Sequence, residues 1–596
     1  MYLILLFFII LYALFLDKPK GLVSRLFLST VIFFGVNTLY FFFSYIFTLS
    51  LNLNILFYVH LFYSIIWWFL IRNELSERTK KEYFNINLSD LMLIIITILT
   101  CWTFYQAAMS FDDGVRLPVF SFTQDAANHM MATKEILDTN RLTTNYPLGF
   151  HSNVWLMETL AKTLVGSNNY DQISFVNIFS IFTVFTMVIL TGLIYLNIEY
   201  LISSTSNNKK IILKLLLTFL VTYFGMIIPY YLLADGFYSM WFNQIFILAI
   251  IFFLTSNFKK REDFLYIFTP LIIGFVYSYI FFIPALLIFF IILALANKRN
   301  VYLILLLITM IFSALTVIKF FQIENRGLWL ANASGVFADY SVVLVFAYFV
   351  PTVFYLYYFY KHSFKKIYIL IHAALSFLIF ALLLASYQFI TTGSTQYSFY
   401  KTFSTVMMIF AIFSIITIYK LLERVYFKLN FSKSVLFIYL IGTIYSLWRF
   451  FPLMSDYTYQ NFTHGLYNFF GNNKEKYNAI SFVSENMNDF DKYIYVDQNF
   501  SSSQWGSKLL KINGLNSLNK NSVFNQGIET YINIIENLLE NERLLVVDPT
   551  RYLHVSCDAE EFIFLAKSEK LKDKVIFYPY FDLEIWEKNC HSKLSV

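Results

Sequence analysis

The stretch DAANHMMATKEILDTNRLTTNYPLGFH, from Asp125 to His151, gathers two imidazoles and several carboxyl groups in a chain otherwise dominated by Phe, Leu, Ile and Tyr. Asp125 and His129 are four residues apart, which on a helix places them on one face about one turn from each other. Asn128 lies beside them, and Glu135 follows two to three turns further on. Pro147 and Gly149 force a turn that folds Tyr146 and His151 back toward that helix. A carboxylate held beside a histidine against an apolar wall is suited to general-base chemistry, taking the proton from a hydroxyl as it attacks. Two other readings stand beside this one. An amphipathic helix at the headgroup level simply turns its charges to water. His129, His151 and a carboxylate could also ligate a metal ion, although their spacing matches no zinc signature.

Further polar groups recur in short stretches between apolar runs. FDDG carries Asp112 and Asp113, ADGFYSMWFNQ spans 234–244, and ENRGLWLANASG (324–335) carries Arg326. TTGSTQYSFYKTF (391–403) places Lys401 with Tyr397 and Tyr400 in a loop otherwise free of basic residues. A lone cation at a membrane edge calls for an anionic partner, and a lipid phosphate is a natural one. A lysine that merely snorkels to the interface is the competing account.

The elements that must position these groups are membrane spans. The chain has 596 residues, 58% of them hydrophobic and only 14% charged, with a mean hydropathy of +0.60. Soluble domains carry about 25% charged residues, so this chain reads as a polytopic α-helical membrane protein. Apolar runs predict about fourteen spans. They centre on 2–16, 26–50, 54–71, 90–109, 173–198, 211–233, 241–256, 264–280, 282–296, 301–321, 340–360, 367–390, 399–419 and 434–452. The first run has no basic leader and no small-residue cleavage site, so it reads as a retained span. The net charge of +6 is dispersed over short loops and is no nucleic-acid signature.

Every second connection is basic, as in Lys18/Lys20/Arg25, Lys259/Lys260/Arg261 and Lys361/Lys365/Lys366, whereas 51–53, 234–240 and 391–398 hold no Lys or Arg. The positive-inside rule then makes the basic loops cytoplasmic. Pro284 interrupts the apolar stretch 264–296, and splitting it there keeps the alternation unbroken. The chain divides into N-terminal transmembrane helices (1–89), a transmembrane core (90–454) with a large outer loop at 110–172, and an extracytoplasmic C-terminal domain (455–596). That tail turns rich in Asn, Asp, Glu, Lys and Ser. The strand-like runs KYIYVD (492–497), RLLVVD (543–548) and KVIFYPY (574–580) alternate with helical patterns, which predicts a small α/β domain with a mostly parallel sheet. Of three cysteines, Cys557 and Cys590 both fall in this outer domain, where a disulfide is allowed. No repeat of 20 to 50 residues is evident.

DAANH, ATKEILDTN and NYPLGFHSNVW, in this order, resemble the catalytic loop of the GT-C superfamily of membrane glycosyltransferases. YSFYK at 397–401 resembles a late Tyr-Tyr-x-x-Lys element in one bacterial and archaeal branch of it. Ala126 stands where many members carry a second acid, and three spans precede the one leading into the loop. The resemblance implies a GT-C-like fold and transfer of a sugar from a polyprenyl-phosphate-linked donor to an extracytoplasmic glycan, lipid or protein acceptor, within the cell membrane. It implies Asp125 as general base and His129 as its catalytic neighbour. Tyr146, His151, Lys401, Tyr397, Tyr400, Arg326 and Glu135 would serve as substrate-binding residues. No cofactor is implied, though a divalent cation is compatible with it, with Asp112 and Asp113 as candidate ligands. A transporter or flippase of lipid-linked glycans and a non-catalytic envelope-assembly protein are the alternative readings.

Overall fold

Long unbroken apolar runs with few turn residues have one way to satisfy their backbone in lipid, which is the helix. The computed structural model describes most of residues 2–428, apart from positions 18 and 20 and stretches at 78–83, 110–123, 143–147, 167–171, 204–210, 227–228, 230–236, 257–263, 298–299, 324–341 and 394–396. In the C-terminal region it describes 490–495, 522–524, 528–547, 557–578, 482, 584, 586–588 and 590. The helices in order are α1 (Tyr2–Phe15), α2 (Leu22–Ile46), α3 (Leu53–Glu77), α4 (Leu88–Met109), α5 (Gln124–Thr139), α6 (Gly149–Val165) and α7 (Gln172–Ser203). There follow α8 (Ile211–Phe219), which runs on into a π-helical turn at Leu220–Phe224, then α9 (Tyr238–Thr255), α10 (Phe264–Ser278) and α11 (Ile283–Asn297). α12 (Asn300–Ile323), α13 (Val342–Thr392) and α14 (Tyr397–Lys428) complete the bundle.

Helices therefore occur at each predicted span as far as 419, and the run 434–452 lies outside the described residues. Among the described residues seven helices are long and apolar enough to cross a membrane, or eight if one bent pair counts as a span. The chain is a helical polytopic membrane protein. The bent pair is α10 and α11, which meet at 114° across a 3₁₀ turn at Ile280–Phe282. Pro284 lies in the first turn of α11, where its missing N–H costs nothing.

Helical bonding continues through all 51 residues of α13, but the helix is not straight. The Thr352 hydroxyl donates to the Phe410 carbonyl at 3.2 Å and Ser414 donates to the Tyr348 carbonyl at 2.8 Å. In a straight helix Thr352 would lie about 60 Å from Thr392, whereas Phe410 is only about 20 Å along α14 from Tyr397. The first limb of α13 must therefore fold back alongside α14, and the limb Ile367–Thr392 is itself long enough to span.

The C-terminal region forms a four-stranded parallel sheet in the order β2-β1-β3-β4, from β1 (Lys492–Tyr495), β2 (Ser522–Phe524), β3 (Leu544–Val547) and β4 (Val575–Tyr578). Three strands fall in the runs the sequence marks, and β2 is an addition. All four β3 residues are buried, as expected of a parallel strand covered on both faces. Ile494, Leu544 and Val546 pack with Tyr531 of α15 (Ile528–Glu536) and Phe562 of α16 (Glu560–Lys567). Tyr493, Leu545 and Val547, facing the other way, belong to the same continuous apolar cluster as the membrane helices. Cys557 and Cys590 are disulfide-bonded.

Candidate functional site

α5 is built from good helix formers, and its buried positions His129, Met130, Thr133 and Ile136 follow the spacing of one helical stripe. Its opposite side is exposed and carries the Lys134–Asp138 pair. The helix ends at Asn140, whose φ of 49° is a left-handed conformation that Asn tolerates. Asn140 then ties three elements together. Its amide donates to the Ile136 carbonyl at 2.8 Å and its carbonyl accepts from Leu51 at 2.7 Å, while its side-chain oxygen accepts from the Trp155 indole at 3.3 Å.

α6 begins at Gly149, the glycine of the Tyr-Pro-x-Gly motif. A Cβ on Gly149 would fall 2.8 Å from the Cα of Ser278, so glycine is what lets α6 start against the end of α10. From Phe150 to Leu156 every side chain of α6 is almost fully buried. Phe150 is enclosed by Phe179, Phe182, Tyr238, Trp241 and Phe242, all with ring centroids within 5.7 Å.

Within this aromatic shell the two predicted histidines meet. His129 Nδ1 lies 2.7 Å from His151 Nε2, with the rings stacked at 4.8 Å. Two nitrogens at that distance must share one proton between them, one donating and the other accepting. The ring of Tyr238 meets that of His129 edge to face, with centroids 5.3 Å apart. Its neighbour Phe237 holds the Lys401 ammonium 4.2 Å over its ring, and Lys401 is buried. The Asp125–His151 stretch and the YSFYK element, some 250 residues apart, are thus joined through the first residues of α9. Lys401 is near the start of α14 and Tyr238 begins α9. α9 has 18 residues, about 27 Å of helix, close to the thickness of a bilayer's hydrocarbon core. The cluster accordingly sits at one end of the spans rather than at their middle.

Of the other residues the sequence singles out, Asp125 is in α5 one turn before His129 and on its face, and Tyr397 is the first residue of α14. Tyr400 is half-buried beside Lys401. Glu135 is not brought to the cluster: six residues from His129, it lies on the exposed side of α5. Tyr146, Arg326, Asp112 and Asp113 lie outside the described residues. Among the described residues no group of three or more His, Cys, Asp or Glu is placed to hold a metal ion.

Sequence reasoning missed Phe237, Tyr238 and Glu158. The first two read as ordinary loop aromatics until the fold seats them between His129 and Lys401. Glu158 is two turns beyond His151 on the same face of α6, fully buried, and neither carboxyl oxygen has a hydrogen-bond partner. Burial pushes its carboxyl up to about 10, so it is neutral at physiological pH. Its signal was the one acid of α6, followed a turn later by Lys162. No protein-family model matches the sequence, and no curated protein or solved structure matches it.

Proposed function

We propose that the protein is a membrane glycosyltransferase that moves a sugar from a polyprenyl-phosphate-linked donor to an extracytoplasmic acceptor, with inversion at the anomeric carbon. The observation that carries this reading is that the buried His129–His151 pair and the buried cation Lys401 pack on the adjacent aromatics Tyr238 and Phe237 at one end of the spans, with Asp125 one helical turn before His129. A lipid-linked sugar needs such a place, since its sugar is wet and its tail is not.

Asp125 acts as general base. The acceptor hydroxyl oxygen attacks the anomeric carbon, its proton passes to the Asp125 carboxylate, and the bond from that carbon to the phosphate oxygen breaks. The leaving phosphate already carries charge and needs electrostatic stabilisation more than protonation. Lys401 supplies it, with Arg326 as a second cation. His129 and His151 orient the base or bind the phosphate, and Tyr146, Tyr397 and Tyr400 line the sugar's approach. A divalent cation held through Asp112 and Asp113 would add to the same charge.

In this reading about fourteen spans alternate with cytoplasmic basic loops, and the C-terminal region is extracytoplasmic. The Cys557–Cys590 disulfide supports that orientation, because such bonds persist in oxidising compartments. A flippase of lipid-linked glycans is the second reading, and the break between α10 and α11 favours it, since broken helices recur in transporters.

The test is sugar transfer by purified protein and its Asp125→Asn variant, with a panel of polyprenyl-phosphate sugars and membrane extract as acceptor source. The variant is expected to fold and to lose at least about two orders of magnitude in rate. A folded variant as active as wild type removes Asp125 from the mechanism. Movement of donor across vesicles without transfer favours the flippase.

A further inference from the structure

The first three spans precede the helices that build the site, yet a buried polar chain connects them to it. The Tyr12 hydroxyl on α1 is 2.8 Å from His60 Nδ1 on α3. His60 Nε2 is 2.7 Å from the side-chain oxygen of Asn37 on α2. The Asn37 amide donates to the side-chain oxygen of Asn153 on α6 at 3.0 Å, and the Asn153 amide donates to the Gly149 carbonyl at 2.8 Å. His60, Asn37 and Asn153 are at most 1% exposed, as is Tyr12.

The donors all point the same way. The Asn37 oxygen can only accept, so His60 carries its proton on Nε2, and Nδ1 is left to accept from Tyr12. Asn37 then has its amide free for Asn153, and Asn153 has its own for Gly149. A chain of this kind polarises each successive bond, so it resists being broken at any one link. Replacing any member leaves a buried group unsatisfied.

The chain ends on the first turn of α6. His151, Trp155 and Glu158 occupy one face of that helix; Gly149 and Asn153 occupy the opposite face. Behind Gly149, Ser278 approaches closely enough to exclude a Cβ. The first turn of α6 is therefore held from behind by a hydrogen bond and a steric stop, while its front presents His151 to His129. Nothing in the His129–His151 contact requires α1 or α3, so the chain adds a constraint that the pair alone does not supply.

We propose that Tyr12, His60, Asn37 and Asn153 form a positioning relay that fixes the start of α6 and so the pose of His151 against His129, making the first three spans part of the site's support. Its bearing on catalysis rests on reading that cluster as the transfer site. The relay itself is a claim about where α6 sits.

The experiment reads both. Nitroxide labels at Leu49→Cys and Leu164→Cys, both exposed, report the distance from the end of α2 to the end of α6. The free cysteine Cys101 is changed to Ser in every protein compared. His60→Leu is expected to broaden or shift the distance distribution. His60→Gln, whose amide can still donate toward Asn37, is expected to keep it. Tyr12→Phe removes one hydroxyl with little risk to folding and is expected to give a smaller shift in the same direction. In transfer assays His60→Leu is expected to lower kcat at least tenfold with donor KM changed less than twofold, and His60→Gln to restore most of it. Distances identical to wild type in His60→Leu and Tyr12→Phe overturn the relay. A displaced α6 with kcat unchanged overturns its role in positioning His151 for catalysis. If wild type transfers no sugar, the transfer reading falls, and the label distances alone decide whether the relay holds α6.

Discussion

Two buried histidine sites are built differently, although they share α6 as a neighbour. His60 is bonded at both ring nitrogens by neutral partners, the Tyr12 hydroxyl and the Asn37 amide oxygen. Its tautomer is set by what surrounds it and nothing nearby asks it to change. His129 and His151 instead bond to each other through a shared proton, at the end of the spans, with His129 against Tyr238 and the Lys401 ammonium over the adjacent Phe237. A histidine locked between neutral donors and acceptors is a fastener. A histidine pair linked through two adjacent aromatics to a buried cation is placed where a charged ligand could be met. On the proposed reading the same residue type serves packing in one place and chemistry in the other, and only the partners distinguish them.

The strongest way to break this contrast is to remove the cation. Lys401→Met keeps the apolar stem against Phe237 and deletes the charge. Transfer is expected to fall by roughly 10²-fold or more, the usual cost of losing one group that stabilises developing charge. Transfer at wild-type rate would make Lys401 a snorkelling residue and leave the pair without its charged neighbour.

Glu158 offers a test read in stability. Its carboxyl is pushed up by burial from 4.5 to about 10. In the unfolded chain the group ionises as pH rises past its ordinary value, while in the folded chain it stays protonated until its raised one. The stability it permits is complete at acid pH and is lost as pH rises from about 4.5 toward about 10. Glu158→Gln removes that loss, so its advantage over wild type should grow by up to about 1.4 kcal/mol per pH unit in that window. Melting curves in detergent at pH 6 and pH 9 measure it; an equal difference at both would show that the carboxyl is not held neutral.

The smallest effect sharpens the other half of the comparison. Tyr12→Phe removes one hydrogen bond from the His60 site and leaves a single imidazole nitrogen unsatisfied. It is expected to cost about 1 kcal/mol of stability and to slow transfer far less than Lys401→Met. A loss of transfer as large as that of Lys401→Met would mean that the two histidine sites are one machine.

Much of the fold was readable from residues in order. Hydropathy alone placed helices at every predicted span as far as 419, and Pro284 marked the break between α10 and α11. The runs KYIYVD, RLLVVD and KVIFYPY marked three of the four strands, and β2 escaped because SVF is too short to carry a pattern. The bend of α13 was suggested by its three lysines, Lys361, Lys365 and Lys366, while its continuous helical bonding would by itself suggest one rod. At the site, two of the residues singled out in the Asp125–His151 stretch, His129 and His151, do meet. Glu135, two to three turns further along the same helix, lies on the exposed side of α5 instead.

Helix content, the positions of spans and the stretches worth inspecting follow from neighbours in sequence, because hydropathy, helical periodicity and turn chemistry act over a few residues. The sequence by itself determined those things. That His60 answers Tyr12 and Asn37, that Phe237 and Tyr238 stand between His129 and Lys401, and that Glu158 has no polar partner were decided by the tertiary structure alone. Each depends on side chains tens to hundreds of residues apart being packed to within a few ångströms, and no local pattern encodes which distant ring or amide will fill that place.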